Sequence, residues 1–156
     1  APGINVNAAT GDGHTALMAA AAGGHTETVT ALLAAPGLNV NAVDSRGDTA
    51  LIMAAAGGHA LTVTALLAAP GIDVNAANGR GDTALMLAAS GGHTKTVTAL
   101  LAAPGVKLNV AATDGTTALA LAEGRGHVET ASLLRAGARR RQDSVDLNDL
   151  IDPEEC

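Results

Sequence analysis

Four of the five histidines, His25, His59, His93 and His127, recur at one spacing of 34 residues. Imidazole nitrogens meeting at about 2.0–2.1 Å from one ion would make a zinc site, so the question is whether a chain of this period can bring them together. The stretch Gly91-Gly92-His93-Thr94-Lys95-Thr96 superficially matches a phosphate-binding loop, but that motif needs Gly directly before Lys and a strand in front. Neither is present, and Lys95 reads as a solvent-facing helix residue. A nucleophilic set of the Ser/His/Asp or Cys/His kind has no basis, because the lone cysteine, Cys156, is the last residue and the histidines follow the period. Two copies of Arg-Gly-Asp, at Arg46-Gly47-Asp48 and Arg80-Gly81-Asp82, raise a different question, that of an adhesion loop.

The elements that must position these residues are constrained by composition. The chain has 156 residues, 47% apolar, with no Phe, Tyr or Trp, and much of the apolar count is Ala. A single thick core of large side chains is thereby not expected, and thin, closely stacked layers suit the composition better. The longest stretches free of polar residues and glycine, residues 16–22 and 50–56, hold seven residues, far short of the ~18–20 needed to cross a bilayer. No membrane insertion is expected. Formal charge is −6, half of it in residues 138–156, and no region gathers enough Lys and Arg for a nucleic-acid footprint. One terminal cysteine excludes an internal disulfide, and no Asn-x-Ser/Thr acceptor occurs; both lean toward a reducing intracellular compartment. Ala1 is not Met and no charged-then-apolar leader follows, so a targeting segment is expected to lie outside these residues or to have been removed.

The period extends well beyond histidine. Thr15, Thr49, Thr83 and Thr117, Gly13, Gly47, Gly81 and Gly115, and Asn7, Asn41, Asn75 and Asn109 keep the same register. Threonine before Ala-Leu is an N-cap residue opening a short Ala-rich helix, which a Gly-Gly pair ends. A second helix follows, with an apolar stripe at Val29, Leu32 and Leu33 that recurs at Val63, Leu66 and Leu67 and at Val97, Leu100 and Leu101. Pro36-Gly37, Pro70-Gly71 and Pro104-Gly105 stop it, and an extended segment of the Ile4-Asn5-Val6-Asn7 type leads through a glycine turn into the next unit. Helix pairs are predicted over 16–35, 50–69, 84–103 and 118–136.

Helix, tight turn, helix and projecting turn at this period resemble the ankyrin repeat family, with four repeats at about 4–37, 38–71, 72–105 and 106–137 and a basic-then-acidic tail at 138–156. The resemblance implies a mostly α solenoid of helix-turn-helix units with projecting turns. It departs from the family at Thr-Pro-Leu-His, which reads Thr-Ala-Leu-Met at Thr15 and Thr83, Thr-Ala-Leu-Ile at Thr49 and Thr-Ala-Leu-Ala at Thr117; a softer scaffold is expected. The resemblance also implies a non-enzymatic module that binds a protein partner through turn tips and first-helix faces. Carried over by position, those are Thr10, Asp12 and His14; Asp44, Arg46, Asp48 and Ala56; Asn78, Arg80, Asp82 and Ser90; and Asp114, Thr116, Glu123 and Arg125. The face reads as polar and mostly acidic, leaving the partner to supply apolar anchors. No cofactor, metal or catalytic residue is expected.

On a stack, equivalent helix positions lie about 8–10 Å apart, so the four histidines cannot converge on an ion, and each is expected to tie down the turn inside its own repeat. The Arg-Gly-Asp glycines are repeat glycines with variable neighbours, which favours surface charge over adhesion. Repeat four degenerates, with Ala131 for Val, Arg135 for Leu and no Pro-Gly, as a polar closing cap should. Repeat one has no such cap, and either further repeats or a partner is expected to cover it. Threonines at 26, 28, 30, 62, 64, 94, 96 and 98 read as an outward face of the second helices, produced by drift through repeat duplication or packed in a larger assembly. That assembly would make the chain a structural subunit, the alternative to an exchanging recognition module. In the tail, Arg139 to Arg141 are read as closing the last helix near its carbonyls, and Ser144 as a weak basophilic-kinase pattern. Leu147, Leu150 and Ile151 form a stripe among aspartates that either docks on a basic-rimmed apolar groove, ordering as it does so, or is solvated and idle.

Overall fold

The computed structural model describes the backbone of residues 4–150 and the side chains of residues 4–141. Eight helices follow in order: α1 (Ala16–Ala22), α2 (Thr26–Leu33), α3 (Ala50–Ala56), α4 (Ala60–Leu67), α5 (Ala84–Ser90), α6 (Thr94–Leu101), α7 (Ala118–Gly124) and α8 (Val128–Leu150). Each first helix is opened by its threonine: the hydroxyls of Thr15, Thr49, Thr83 and Thr117 accept the N–H groups of Met18, Ile52, Met86 and Ala120 at 3.2–3.3 Å. Each ends at a glycine of positive φ, Gly24, Gly58, Gly92 and Gly126.

Helices of seven or eight residues are not stable alone. They persist because α1, α3, α5 and α7 stack as one layer and α2, α4, α6 and α8 as a second. Between the layers lie Leu17, Met18, Leu51, Ile52, Leu85 and Met86 from the first helices and Val29, Val63, Leu66, Val97 and Leu100 from the second, all at most 2% exposed. Alanines at 20, 21, 54, 55, 88 and 89 are buried as well, and their small size brings the helices close without aromatic filling. Burying each Leu or Ile contributes roughly 1.5–3 kcal/mol.

The seams between repeats are polar ladders. The side-chain amide of Asn7 donates to Gly37 O (2.8 Å) and accepts Asn39 N (2.7 Å), and Asn41 and Asn75 repeat both bonds one and two units on. The histidines form a second ladder. Nε2–H of His59, His93 and His127 donates at 3.0–3.1 Å to Ala22, Ala56 and Ser90 of the preceding first helix. Each therefore ties its repeat to the one before, where the sequence suggested the turn inside the same repeat. The imidazole needs room: a Cβ on Gly58, whose φ is +72°, would lie 2.5 Å from His93 Nδ1.

The second helices correct the threonine reading. Thr62, Thr96 and Thr130 are 1% exposed and sit at the seams, while Thr30, Thr64 and Thr98 are exposed and hydrogen-bond the carbonyl four residues back. Residues two apart on a helix do not share a face, so a run of alternate threonines is split between seam and solvent. Thr28 and Ala16 of repeat one are exposed where their equivalents in the next repeats are buried.

The other end differs from expectation in length. α8 runs on to Leu150, so the boundary near residue 137 falls inside a helix. Lone Gly137, followed by no proline, does not stop it, and Ala and Arg around it are good helix formers. Arg141 is accordingly no helix-end residue; its guanidinium donates to the carbonyl of Val106 in the loop between repeats three and four. Arg135 pairs with Glu123 of α7. The side chains of Leu147 and Leu150, and all of Ile151, lie outside the described residues, so the stripe they form in the sequence carries no structural description.

Candidate functional site

Each turn tip is locked by its own backbone and one short side chain. In repeat two, Asp44 Oδ1 accepts the N–H groups of Arg46 and Asp48, both at 2.9 Å, and Asn78 Oδ1 does the same for Arg80 and Asp82 at 2.9 and 3.0 Å. The glycine between them takes φ of +81° at Gly47 and +80° at Gly81, a conformation only glycine adopts without strain. Space also demands it, since a Cβ there would lie 2.9 Å from Gly79 N or Thr113 N of the next tip. Adjacent tips are tied in series: Ser45 N donates to Asp12 O (2.8 Å), Gly79 N to Arg46 O (2.9 Å) and Thr113 N to Arg80 O (3.0 Å).

This row of tips and the first helices enclose two adjoining hollows. One, of about 560 Å³, is lined by Ser45, Arg46, Asp48, Asn78, Gly79, Arg80, Asp82 and Leu87. The other, of about 370 Å³, adds Ser90, Ala112, Thr113, Asp114, Thr116, Leu121 and Arg125 to the shared Arg80, Asp82 and Leu87. Nine of the positions singled out in the sequence, Arg46, Asp48, Asn78, Arg80, Asp82, Ser90, Asp114, Thr116 and Arg125, thus come together in one groove over repeats two to four. Arg125 reaches it from the C-cap of α7, in the place where repeats one to three have glycine.

Others do not join them. Asp44 is spent on its own tip. Asp12 is held by the Thr10 hydroxyl, and His14 lines a separate shallow hollow against Ala8, Ala16 and Ala19. Glu123 turns to Arg135. Sequence reasoning missed Leu87 and Leu121, half-buried on the groove floor. The lining of the groove thus includes two half-buried leucines beside the polar residues expected from the sequence. The available signal was the series Ala19, Met53, Leu87, Leu121, one repeat position whose apolar residue changes size.

The electrostatics are local. Asp114 is held below the ordinary carboxylate range by hydrogen bonds from the Thr116 hydroxyl and then its N–H, and Asp12 likewise, chiefly by the Thr10 hydroxyl. Asp48 Oδ1 accepts Nδ2–H of Asn78 at 2.8 Å, so the carboxylate of the first Arg-Gly-Asp is already engaged, which weighs against adhesion. Among the described residues, no group of three or more His, Cys, Asp or Glu could hold a metal ion, and no helix is long and apolar enough to cross a membrane.

A family model described as ankyrin repeats in three copies matches residues 2–78 and 75–143. The chain belongs to the ankyrin repeat family. Comparison with curated proteins finds no match. Ankyrin repeats are in general protein–protein interaction modules and typically non-catalytic. In this ankyrin domain the family's stacking accounts for the histidine and asparagine ladders, and the groove at Arg80 and Leu87 is what the scaffold displays.

Proposed function

We propose that this ankyrin domain is a non-enzymatic recognition module that holds a protein partner in the groove over repeats two to four. The observation that carries the reading is the convergence of Arg46, Arg80 and Arg125, interleaved with Asp48, Asp82 and Asp114, with Leu87 and Leu121: a rim of both charges over apolar residues. Arginine is enriched among interface residues that dominate binding energy, and apolar floors supply the desolvated centre such residues need. No cofactor enters this reading.

The test is affinity capture with Arg46→Ala/Arg80→Ala beside the unmodified chain, folding checked by circular dichroism. Both side chains are exposed, so the fold should be kept while partners are lost. A control set at the outward Leu61, Thr64, Lys95 and Thr98 should keep them. The reverse pattern would move the working surface to the second helices.

A second reading, a structural subunit of a larger assembly, has one observation in its favour. Repeat one presents Ala16 and Thr28 to solvent in the positions where repeats two and three bury theirs, a side that either a preceding repeat or a permanent neighbour would cover. A monomeric native particle that exchanges partners supports the module, and a stable large complex supports the subunit.

A further inference from the structure

We infer that the open edge of repeat one is a docking surface for one more ankyrin repeat, stacked in line ahead of Ile4. This surface is separate from the groove and does not depend on it. Repeat two receives repeat one through four hydrogen-bonding groups. Asn39 N–H donates to Asn7 Oδ1 (2.7 Å), Ser45 N–H to Asp12 O (2.8 Å) and His59 Nε2–H to Ala22 O (3.1 Å), and the Thr62 hydroxyl meets that of Thr26 at 2.8 Å. One period earlier the same groups are the N–H of Asn5, the N–H of Gly11, the imidazole of His25 and the hydroxyl of Thr28. Among the described residues, none of these four has a hydrogen-bond partner.

The apolar part of this edge is open as well. Ala16 and Thr28 are exposed where Ala50 and Thr62 are 1% exposed, and Ile4 is 67% exposed where Val106, at the same repeat position, is 2%. Hollows of about 410 Å³ against Ala8 and Ala16 and about 310 Å³ between His25 and Thr28 lie along it. Covering apolar area asks little of an occupant's fold. Meeting four hydrogen-bonding groups at the spacing of a seam asks for the edge of a repeat.

The sequence agrees on the direction of stacking. Ala1-Pro2-Gly3, directly ahead of Ile4, has the sequence of Ala35-Pro36-Gly37, Ala69-Pro70-Gly71 and Ala103-Pro104-Gly105, with which repeats one to three end. A second copy of the chain does not supply the matching edge. Repeat four has Val128 where Thr26 and Thr94 carry their hydroxyls, and Arg135 where leucine stands at 33, 67 and 101. Arg135 is moreover paired with Glu123, and α8 continues to Leu150.

The test supplies the occupant. A copy of residues 4–34 fused directly before Ala1 of the full chain restores the 34-residue register and offers repeat one a second Asn7, Asp12, Ala22 and Thr26. The longer chain should unfold at higher urea, and Gly11 N–H should be protected from exchange in it alone. His25→Ala, nearly silent in the unmodified chain, should lower the folding equilibrium constant of the longer one about fivefold. A longer chain that gains no helicity by circular dichroism, or one in which Gly11 stays unprotected and His25→Ala stays silent, would overturn the inference and leave the groove reading standing. Sedimentation of the unmodified chain tests the other occupant. Self-association that is lost in His25→Ala would give the edge to a second copy and overturn the inference too.

Discussion

The hydroxyls of Thr26 and Thr62 lie 2.8 Å apart across the seam between repeats one and two. Thr94 and Thr130 make the same contact, at 3.3 Å, between repeats three and four. At the middle seam the position equivalent to Thr26 is Ala60, and the Thr96 hydroxyl is buried with no partner. An unsatisfied buried hydroxyl costs about 1–3 kcal/mol. Thr96→Val, which keeps the shape, should therefore stabilise the domain by about 1 kcal/mol, and Ala60→Thr should gain a similar amount by supplying the partner. Thr62→Val should destabilise it. Urea unfolding midpoints decide the matter, and equal effects at 62 and 96 would contradict the account.

Histidine substitutions should depend on position in the stack. His93→Ala removes the bond to Ala56 O and should cost about 1 kcal/mol. No repeat precedes His25 among the described residues and its side chain makes no hydrogen bond there, so His25→Ala should change the unfolding midpoint little. Equal losses would mean that the imidazole acts within its own turn, as the sequence alone suggested.

Gly137→Ala should stabilise α8. A Cβ there meets Leu101 and Leu108 at 3.5–3.8 Å, ordinary contact, while glycine inside a helix costs about 0.8–1.0 kcal/mol relative to alanine. A raised melting temperature with increased helicity by circular dichroism is expected. A loss would mean that the helix does not pass Leu101 as described.

The tips should respond to acid. The Asp114 carboxyl sits below its ordinary value of 3.8 because Thr116 donates to it. A depressed folded-state pKa gives stability that is present above the ordinary value and lost as pH falls through the lowered one. An NMR titration should find Asp114 below 3.8, with Thr116→Ala raising it toward that value and moving Asp12 not at all.

Much of the scaffold was legible in the sequence because its determinants are local. The threonine caps, the positive-φ glycines and the 34-residue register each follow from short-range stereochemistry. The failures were at longer range. Leu87 and Leu121 were not singled out, since apolar residues inside a short helix do not announce which layer they face. Thr62 and Thr96 looked outward because alternation was read as one face, which a helix does not provide. The histidine bonds cross repeats, and no local pattern names their acceptor. Of the groove, the tip residues were foreseen by position, but Asp44 and Asn78 are turn locks, a role visible only once their oxygens are seen to accept backbone N–H groups.

The most direct measurement is amide hydrogen exchange of the domain with and without a captured partner. Protection concentrated at residues 44–48, 78–82 and 113–116 and in α5 is the predicted result. Protection confined to the exposed sides of α4 and α6, at residues 61–64 and 95–98, with the tips unchanged, would contradict it.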